Sequence, residues 1–328
     1  MAVNVGINGF GRIGRYLTRL IAEDNDLNLV AINARASNED LALLLKHDSV
    51  HGKFAAEVVP NEKGFTVNGK QILITRCAPG EWEWEKLQCD LVIETTGKFR
   101  DRESCEKALA CGAKKVIISA PGRHPDITVV MGVNDDQLTP EHKIISAASC
   151  TTNCLAPATK VIHDNFGISH GLMTTVHAYT MSQRVLDGTH SDIRRGRTCG
   201  SNIVPTTTGA AKSLKHVIPE LEGKLDGMSI RVPTPDVSLV DLTCTVEKET
   251  TVEEVNAVLK AASNENMGYT EMPLVSTDYI GDTHGGVVDG PLTSVMNGNM
   301  IKLIVWYDNE ASFTNQLVRL TKKTATML

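Results

Sequence analysis

At 328 residues and 35.5 kDa the chain is long for one ordinary core and suits two domains. A net charge of −6, a pI near 5.9 and the lack of any polybasic run argue against nucleic acid as a partner. No apolar stretch approaches the roughly 20 residues that span a bilayer, and the N-terminus enters a strand pattern with no leader, so a cytoplasmic protein is expected.

In chain order, Val3–Asn8 is an apolar run, followed by Gly9-Phe10-Gly11-Arg12-Ile13-Gly14 and a helical pattern through Tyr16, Leu17, Leu20 and Ile21. Leu27–Asn33 is a second strand-like run. A glycine turn between strand and helix is the context in which GxGxxG binds a dinucleotide. Gly9, Gly11 and Gly14 give the tight turn, the close backbone approach to a pyrophosphate and the helix–sheet contact. An acidic residue is usual about 20 positions on, but here Ala34 is followed by Arg35, Ala36 and Ser37. Without the carboxylate a 2′-phosphate meets no repulsion, and Arg35 and Ser37 offer donors; NADP acceptance is favoured over NAD alone.

NEDLALLLKH reads as a helix, and FTVNGKQILIT as a hairpin through Asn68-Gly69. Short apolar strands follow at 90–97, 114–121 and 127–133, with the RESCEKALACG helix between the first two. Such alternation predicts a mostly parallel sheet with ligands at the strands' C-terminal ends, where Thr96, Gly97 and Ser119 stand. Trp82 and Trp84, alternating with acids, read as surface packing.

Ser-Cys-Thr-Thr-Asn-Cys at 149–154 joins a strand to an amphipathic helix running to 166. Cys150 at that helix start, ringed by hydroxyls and unpaired N–H groups, is expected to be a reactive thiolate. The eight cysteines, at 77, 89, 105, 111, 150, 154, 199 and 244, have no framework spacing and suggest a reducing compartment. No Cys/His set at ligand spacing surrounds Cys150 and Cys154, so no metal is expected. Beyond 166 the texture changes to long alternating strands at 171–179, 228–233, 237–248 and 300–308, which predict a mixed or antiparallel sheet. Residues 180–203 form a long polar loop holding Arg184, Arg194, Arg195 and Arg197, and the helical tail 310–326 is expected to return to the first domain. The whole is thus an α/β chain, a Rossmann-type parallel-sheet domain (1–149 plus 311–328) and an α+β catalytic domain (150–310), with Cys150 on the seam. His177, at the end of GLMTTVHAY among small and hydroxyl residues, is the candidate base for Cys150. Ser149, Thr151, Thr180, Thr206–Thr208, Gly209, Arg195 and Arg231 are suited to anionic oxygens and point to a phosphorylated substrate.

These motifs resemble the phosphorylating glyceraldehyde-3-phosphate dehydrogenases from end to end. The matches are NGFGRIGR at 8–15, KHDSVHG at 46–52, SCTTNCLAP at 149–157, VHAYT at 176–180, PTTTGAAK at 205–212, RVPTPDVSLVDL at 231–242 and WYDNE at 306–310. The resemblance implies a homotetramer that oxidises glyceraldehyde 3-phosphate to 1,3-bisphosphoglycerate through a Cys150 thiohemiacetal and thioester, with His177 as base and NAD(P) as hydride acceptor. It further implies that Thr180 and Arg231 hold the substrate phosphate. Ser149, Thr151, Thr208 and Gly209 would hold the attacking inorganic phosphate, with Arg195 between the two. Asn309 would fix the nicotinamide amide, and Arg12 with Ile13 would cover the pyrophosphate.

Departures concentrate on the cofactor. NAD-specific members usually carry Asp at the position of Ala34 and Leu-Pro at that of Gly188-Thr189, and NADP-using members place small and hydroxyl residues at both, so Thr189 joins the cofactor-binding candidates. Arg76-Cys77-Ala78-Pro79, Met181-Ser182 and the Ala311-Ser312 that follows WYDNE also depart from the common pattern. Two other readings compete: an erythrose-4-phosphate dehydrogenase, whose thioester would go to water, and a non-catalytic nucleotide-sensing protein on the same frame.

Overall fold

A computed structural model describes residues 2–328 and divides the chain into two compact units. The first runs to Val129 and resumes over Asp135–Ser149 and Thr314–Leu328; the second comprises Val130–Asn134 and Cys150–Phe313.

The first unit is built on a nine-stranded sheet. Seven strands run parallel, and an antiparallel hairpin adds Gly64–Val67 and Val58–Asn61 at one edge. Asn68 and Gly69 both take positive φ, 47° and 79°, as expected for a two-residue hairpin turn. From the central strand Val3–Asn8 the chain winds one way through Leu27–Asn33 and Lys70–Thr75. It then crosses to Leu91–Glu94 and winds the other way through Lys115–Ile118 and Ile144–Ser146. The reversal leaves a crevice beyond the C-terminal ends of Val3–Asn8 and Leu91–Glu94, where ligands of such sheets bind.

Two expectations need correction. Only Ile127–Thr128 of the 127–133 run is strand, because the chain from Val130 joins the second unit. Trp82 and Trp84 are core, 5% and 1% exposed, packed with Cys89, Val92, Cys105 and Val116. Glu81, Glu83 and Glu85 point outward while the indoles point in, an alternation that the sequence displayed.

The second unit is an eight-stranded mixed sheet. Along Ile168–Ala178, Met173, Thr175 and His177 face inward while Leu172, Thr174 and Val176 face outward. That strand pairs parallel with Leu225–Val232 and antiparallel with Ser238–Val246, which in turn pairs antiparallel with Met300–Tyr307. Register sets His177 beside Arg231 and Ser238 beside Tyr307, so these four share the inner face. The helix Cys150–Phe166 lies on that face. Its Cys154 is fully buried, with its thiol on the carbonyl of Val305; Gly286 supplies the room, since a Cβ there would stand 2.9 Å from the sulfur. Residues 180–203 contain no helix and no strand, only turns pinned by bonds such as Gly188 N–H to the Gly196 carbonyl. All eight cysteines are free thiols, and among the described residues no helix is long and apolar enough to cross a membrane.

Candidate active site

The turn into the Cys150 helix is strained. Ala148 holds φ +57°, a left-handed conformation that costs a non-glycine residue about 1 kcal/mol or more. Two residues later the helix begins, and Cys150 Sγ stands 3.6 Å from His177 Nε2. The other imidazole nitrogen has two polar neighbours. Nδ1 lies 2.7 Å from the Ala178 carbonyl and 3.0 Å from Arg231 Nη1, while Nε2 faces the thiol. Arg231 Nη1 donates to the same carbonyl at 3.0 Å.

Burial, with Arg231 and Arg195 nearby, presses His177 down to about 3, against the opposing pull of its bond to Ala178. Both influences favour the neutral imidazole. Burial also pushes the Cys150 thiol above its ordinary range, while Arg231, the Thr151 hydroxyl and backbone N–H groups of Thr151 and Cys150 favour the anion. Helix-end donors oppose that desolvation.

Around this pair the anion-suited residues divide. Thr180 Oγ1 lies 3.4 Å from Arg231 Nη1 and 2.9 Å from Ser182 Oγ, a hydroxyl that the sequence reading had noted only as a departure. Arg195 donates from Nε to Thr206 Oγ1 at 2.8 Å and lies close enough to His177 and Arg231 to act on both electrostatically. Of its neighbours, Arg197 is exposed and bound to Asp187 at 2.8 Å. Thr208 Oγ1 accepts the N–H of Ala210 at the start of the short helix Ala210–Ser213, with Gly209 exposed beside it. Thr151 is buried, its hydroxyl 2.9 Å from that of Tyr307, which sequence reasoning did not single out. Ser149 directly precedes the nucleophile candidate.

Asn309 is held by a short relay. Ala178 N–H donates to Ser238 Oγ at 3.0 Å, and that hydroxyl donates to Asn309 Oδ1 at 2.8 Å. Val237, next to Ser238, sits at φ +64°, an outlier for a β-branched residue.

In the first unit, Gly9 takes φ +106°, and a Cβ on Gly14 would fall 2.5 Å from the Gly9 carbonyl, so neither tolerates a side chain. The helix Arg12–Ala22 begins at Gly11 without a side-chain cap. Arg12, next to Ile13, grips Asp48 with both terminal nitrogens. Burial works against that carboxylate, but the guanidinium and the N–H groups of His51 and Val50 hold it well below its usual range. At the strand ends, Glu94 accepts from Asn8 Nδ2 and from Thr96 N–H, each at 2.6 Å, and from the Thr96 hydroxyl. Burial lifts this carboxyl to about 7 in spite of those donors. Gly97 turns the chain at φ +69°, and Ser119 N–H binds the Glu94 carbonyl, so Thr96, Gly97 and Ser119 gather at one edge of the crevice.

Ala34 is buried, and Arg35 is exposed beside it. Ser37 caps the helix Asn38–Lys46 by accepting from Asp40 N–H. Arg76 reaches this turn, donating to the Ala36 carbonyl at 2.6 Å and Asn38 Oδ1 at 2.8 Å. The sequence reading took Arg76 only as a departure; its signal would have been the pairing of Leu27–Asn33 with Lys70–Thr75. Thr189 lies exposed in the 180–203 loop, its carbonyl bound by Arg184 at 3.1 Å.

Comparison with known proteins agrees with this division. Residues 3–102 match the glyceraldehyde 3-phosphate dehydrogenase NAD binding domain, and residues 149–309 match the C-terminal domain of the same family. The chain is 52% identical to the glyceraldehyde-3-phosphate dehydrogenase of Geobacillus stearothermophilus over 326 residues, 98% of this chain and 97% of that one. Identity to the same-named protein of Priestia megaterium is 51% over 328 residues, 98% of each. For that of Zymomonas mobilis it is 50% over 327 residues, 97% of each.

Proposed function

The chain belongs to the glyceraldehyde-3-phosphate dehydrogenase family, and from that premise we propose that it oxidises glyceraldehyde 3-phosphate to 1,3-bisphosphoglycerate, with Cys150 as nucleophile and His177 as general base. The observation that carries this reading is the Cys150–His177 pair, with Sγ and Nε2 3.6 Å apart.

The aldehyde enters with its phosphate on Thr180 and Arg231. Cys150 Sγ attacks the carbonyl carbon as its proton passes to His177 Nε2. The hemithioacetal oxygen takes up that proton, and His177 removes it again as the thioester forms. Inorganic phosphate, held by Ser149, Thr151, Thr208 and Gly209 with Arg195 between the two anions, then attacks the thioester carbon. The acyl phosphate leaves, and the thiolate of Cys150 is reprotonated. A thioester suits this chemistry because it preserves the energy of oxidation for the phosphate transfer.

A nicotinamide dinucleotide supplies the hydride acceptor. The residues fit it: a glycine turn that excludes side chains, a helix start without a side-chain cap for the pyrophosphate and an Asn309 amide held through its oxygen by Ser238. Gly9, Gly11, Arg12, Ile13 and Gly14 would hold the pyrophosphate, with Thr96, Gly97 and Ser119 along the crevice. We further propose that NADP is accepted, because Ala34 offers no carboxylate and Arg35, Ser37 and Arg76 gather at the turn where a ribose 2′-phosphate would lie. Thr189 would add a hydroxyl donor from the loop.

A homotetramer is supported by exposed apolar side chains: Met181, Val185, Leu186 and Ile193 in the 180–203 loop, and Leu172 and Met228 on the open face of the second sheet. Eight free thiols suit a reducing cytoplasm. Initial rates with NAD and NADP, each with and without phosphate, test the whole reading. Phosphate-dependent reduction with glyceraldehyde 3-phosphate supports it. Faster turnover of erythrose 4-phosphate without phosphate would replace it, and no turnover with either nucleotide would favour a sensing role.

A further inference from the structure

Arg195 is fastened by two of its guanidinium nitrogens. Nε donates to Thr206 Oγ1 at 2.8 Å, and Nη2 donates to the Thr207 carbonyl at 3.2 Å. A guanidinium only donates, so Thr206 Oγ1 accepts from Nε and its own hydrogen goes to Asp192 Oδ2, 2.7 Å away. Asp192 is itself fixed by the loop. Its Oδ1 accepts the Arg194 N–H at 3.0 Å, and its own N–H reaches His190 Nδ1 at 2.9 Å. The Thr206 side chain, in a residue 8% exposed, is therefore spent on a bridge between carboxylate and guanidinium. Arg195 Nη1 has no protein partner among the described residues.

We propose that Asp192 is a positioning residue for the phosphate step, locking Arg195 through the Thr206 hydroxyl so that Nη1 is held ready for the inorganic phosphate. An arginine is long and flexible, and a loose one would give up its freedom each time an anion bound. One already fixed at Nε and Nη2 has given it up on folding, and so binds the anion more tightly. Charge alone points the other way. The Asp192 carboxylate lies 3.6 Å from Arg195 Nε, where it offsets part of the positive charge that attracts phosphate. The sign of its effect on phosphate binding thus separates the two roles. This inference rests on the reading of Arg195 and inorganic phosphate proposed above.

The test is the dissociation constant of inorganic phosphate, read from phosphorus NMR line broadening on the full chain without aldehyde or nucleotide, together with KM values. Asp192→Ala is expected to weaken phosphate by about five- to tenfold although it removes a negative charge, and to raise KM for phosphate alike. KM for the dinucleotide, for which Thr189 is the proposed contact of the same loop, should stay within about twofold. Thr206→Val should match Asp192→Ala, and the Asp192→Ala/Thr206→Val double variant should add nothing further, because Asp192 acts through Thr206. Thr206→Ser, which keeps the hydroxyl, should hold phosphate within about twofold of the parent. Asp192→Ser is too short to reach Thr206 but still accepts the Arg194 N–H, and it serves if Asp192→Ala does not fold. Phosphate bound as tightly or more tightly by the folded Asp192 variants overturns the proposal, since the carboxylate would then act by charge. A parallel rise in dinucleotide KM also overturns it, as the mark of a loosened loop. A parent chain that bound phosphate but reduced neither nucleotide would sink the proposed reaction and leave the binding comparison intact.

Discussion

His177 and Asn309 are fastened to opposite sides of one residue. The Ala178 carbonyl lies 2.7 Å from the imidazole Nδ1, and the Ala178 N–H reaches Asn309 through Ser238 Oγ. The base and the proposed nicotinamide anchor are thus positioned by a single residue of the His177 strand. Ser238→Ala removes the link and frees the Asn309 amide to flip. The expected result is a rise of about three- to tenfold in KM for the dinucleotide with a smaller change in kcat, on the scale of one hydrogen bond. Steady-state kinetics checks it, and an unchanged KM would remove the orienting role of Ser238.

Cofactor choice is tested at Ala34 and Arg76. Ala34→Asp should raise KM for NADP much more than for NAD, because a carboxylate repels the 2′-phosphate and tolerates a ribose hydroxyl. Arg76→Ala should weaken NADP by about tenfold and leave NAD nearly unaffected. Equal effects on both nucleotides in either variant would end the argument for NADP.

Two cysteines on one helix should differ widely in reactivity. Cys154 is fully buried, and burial with the neighbouring Cys150 lifts its thiol well above the ordinary range. Peptide mapping after iodoacetamide treatment at pH 7 should find Cys150 modified at least about a hundredfold faster. Comparable rates would deny Cys150 its special setting.

His177→Asn removes the lone pair but preserves a polar side chain. Alkylation of Cys150 and the rate of hydride transfer should fall together, the latter by about 10²- to 10⁴-fold. Single-turnover absorbance measurements report the hydride step, and unchanged rates would release His177 from its assignment.

Glu94 makes a prediction about stability. Its buried carboxyl has a folded value near 7, above that of an ordinary glutamate, so the native state binds the extra proton between those two values. Stability from this group is therefore fully present at low pH and is lost as pH rises through that window. The loss amounts to about 3 kcal/mol, an order-of-magnitude figure from the displaced titration. Urea melts at pH 5 and pH 8 should show this slope in the parent chain and a much flatter one in Glu94→Gln.

Much of this was legible in the linear sequence. The glycine turn, the parallel and mixed sheets, and the candidate status of Cys150 and His177 follow from local pattern, because period-2 alternation and turn chemistry are short-range. The missed items depend on pairings distant in sequence. Arg76 meets Ala36 through strands that lie side by side, Tyr307 meets Thr151 across 156 positions, and no local rule foretells either. A helix start is visible in sequence, whereas the depth of burial that opposes it is a property of the packed sheet. The tryptophans show a different failure, since the alternation with glutamates was present and was read as surface.

Ala148 and Val237 adopt a backbone shape that glycine would take without cost, one leading into the Cys150 helix and the other into Ser238. Any programme to harden this enzyme against heat would be drawn to these two places first, since relaxing them promises easy gains in melting temperature. The same relaxation would loosen the mounts of the nucleophile and of the Asn309 relay, so thermal robustness and turnover should trade against each other there more sharply than elsewhere in the chain.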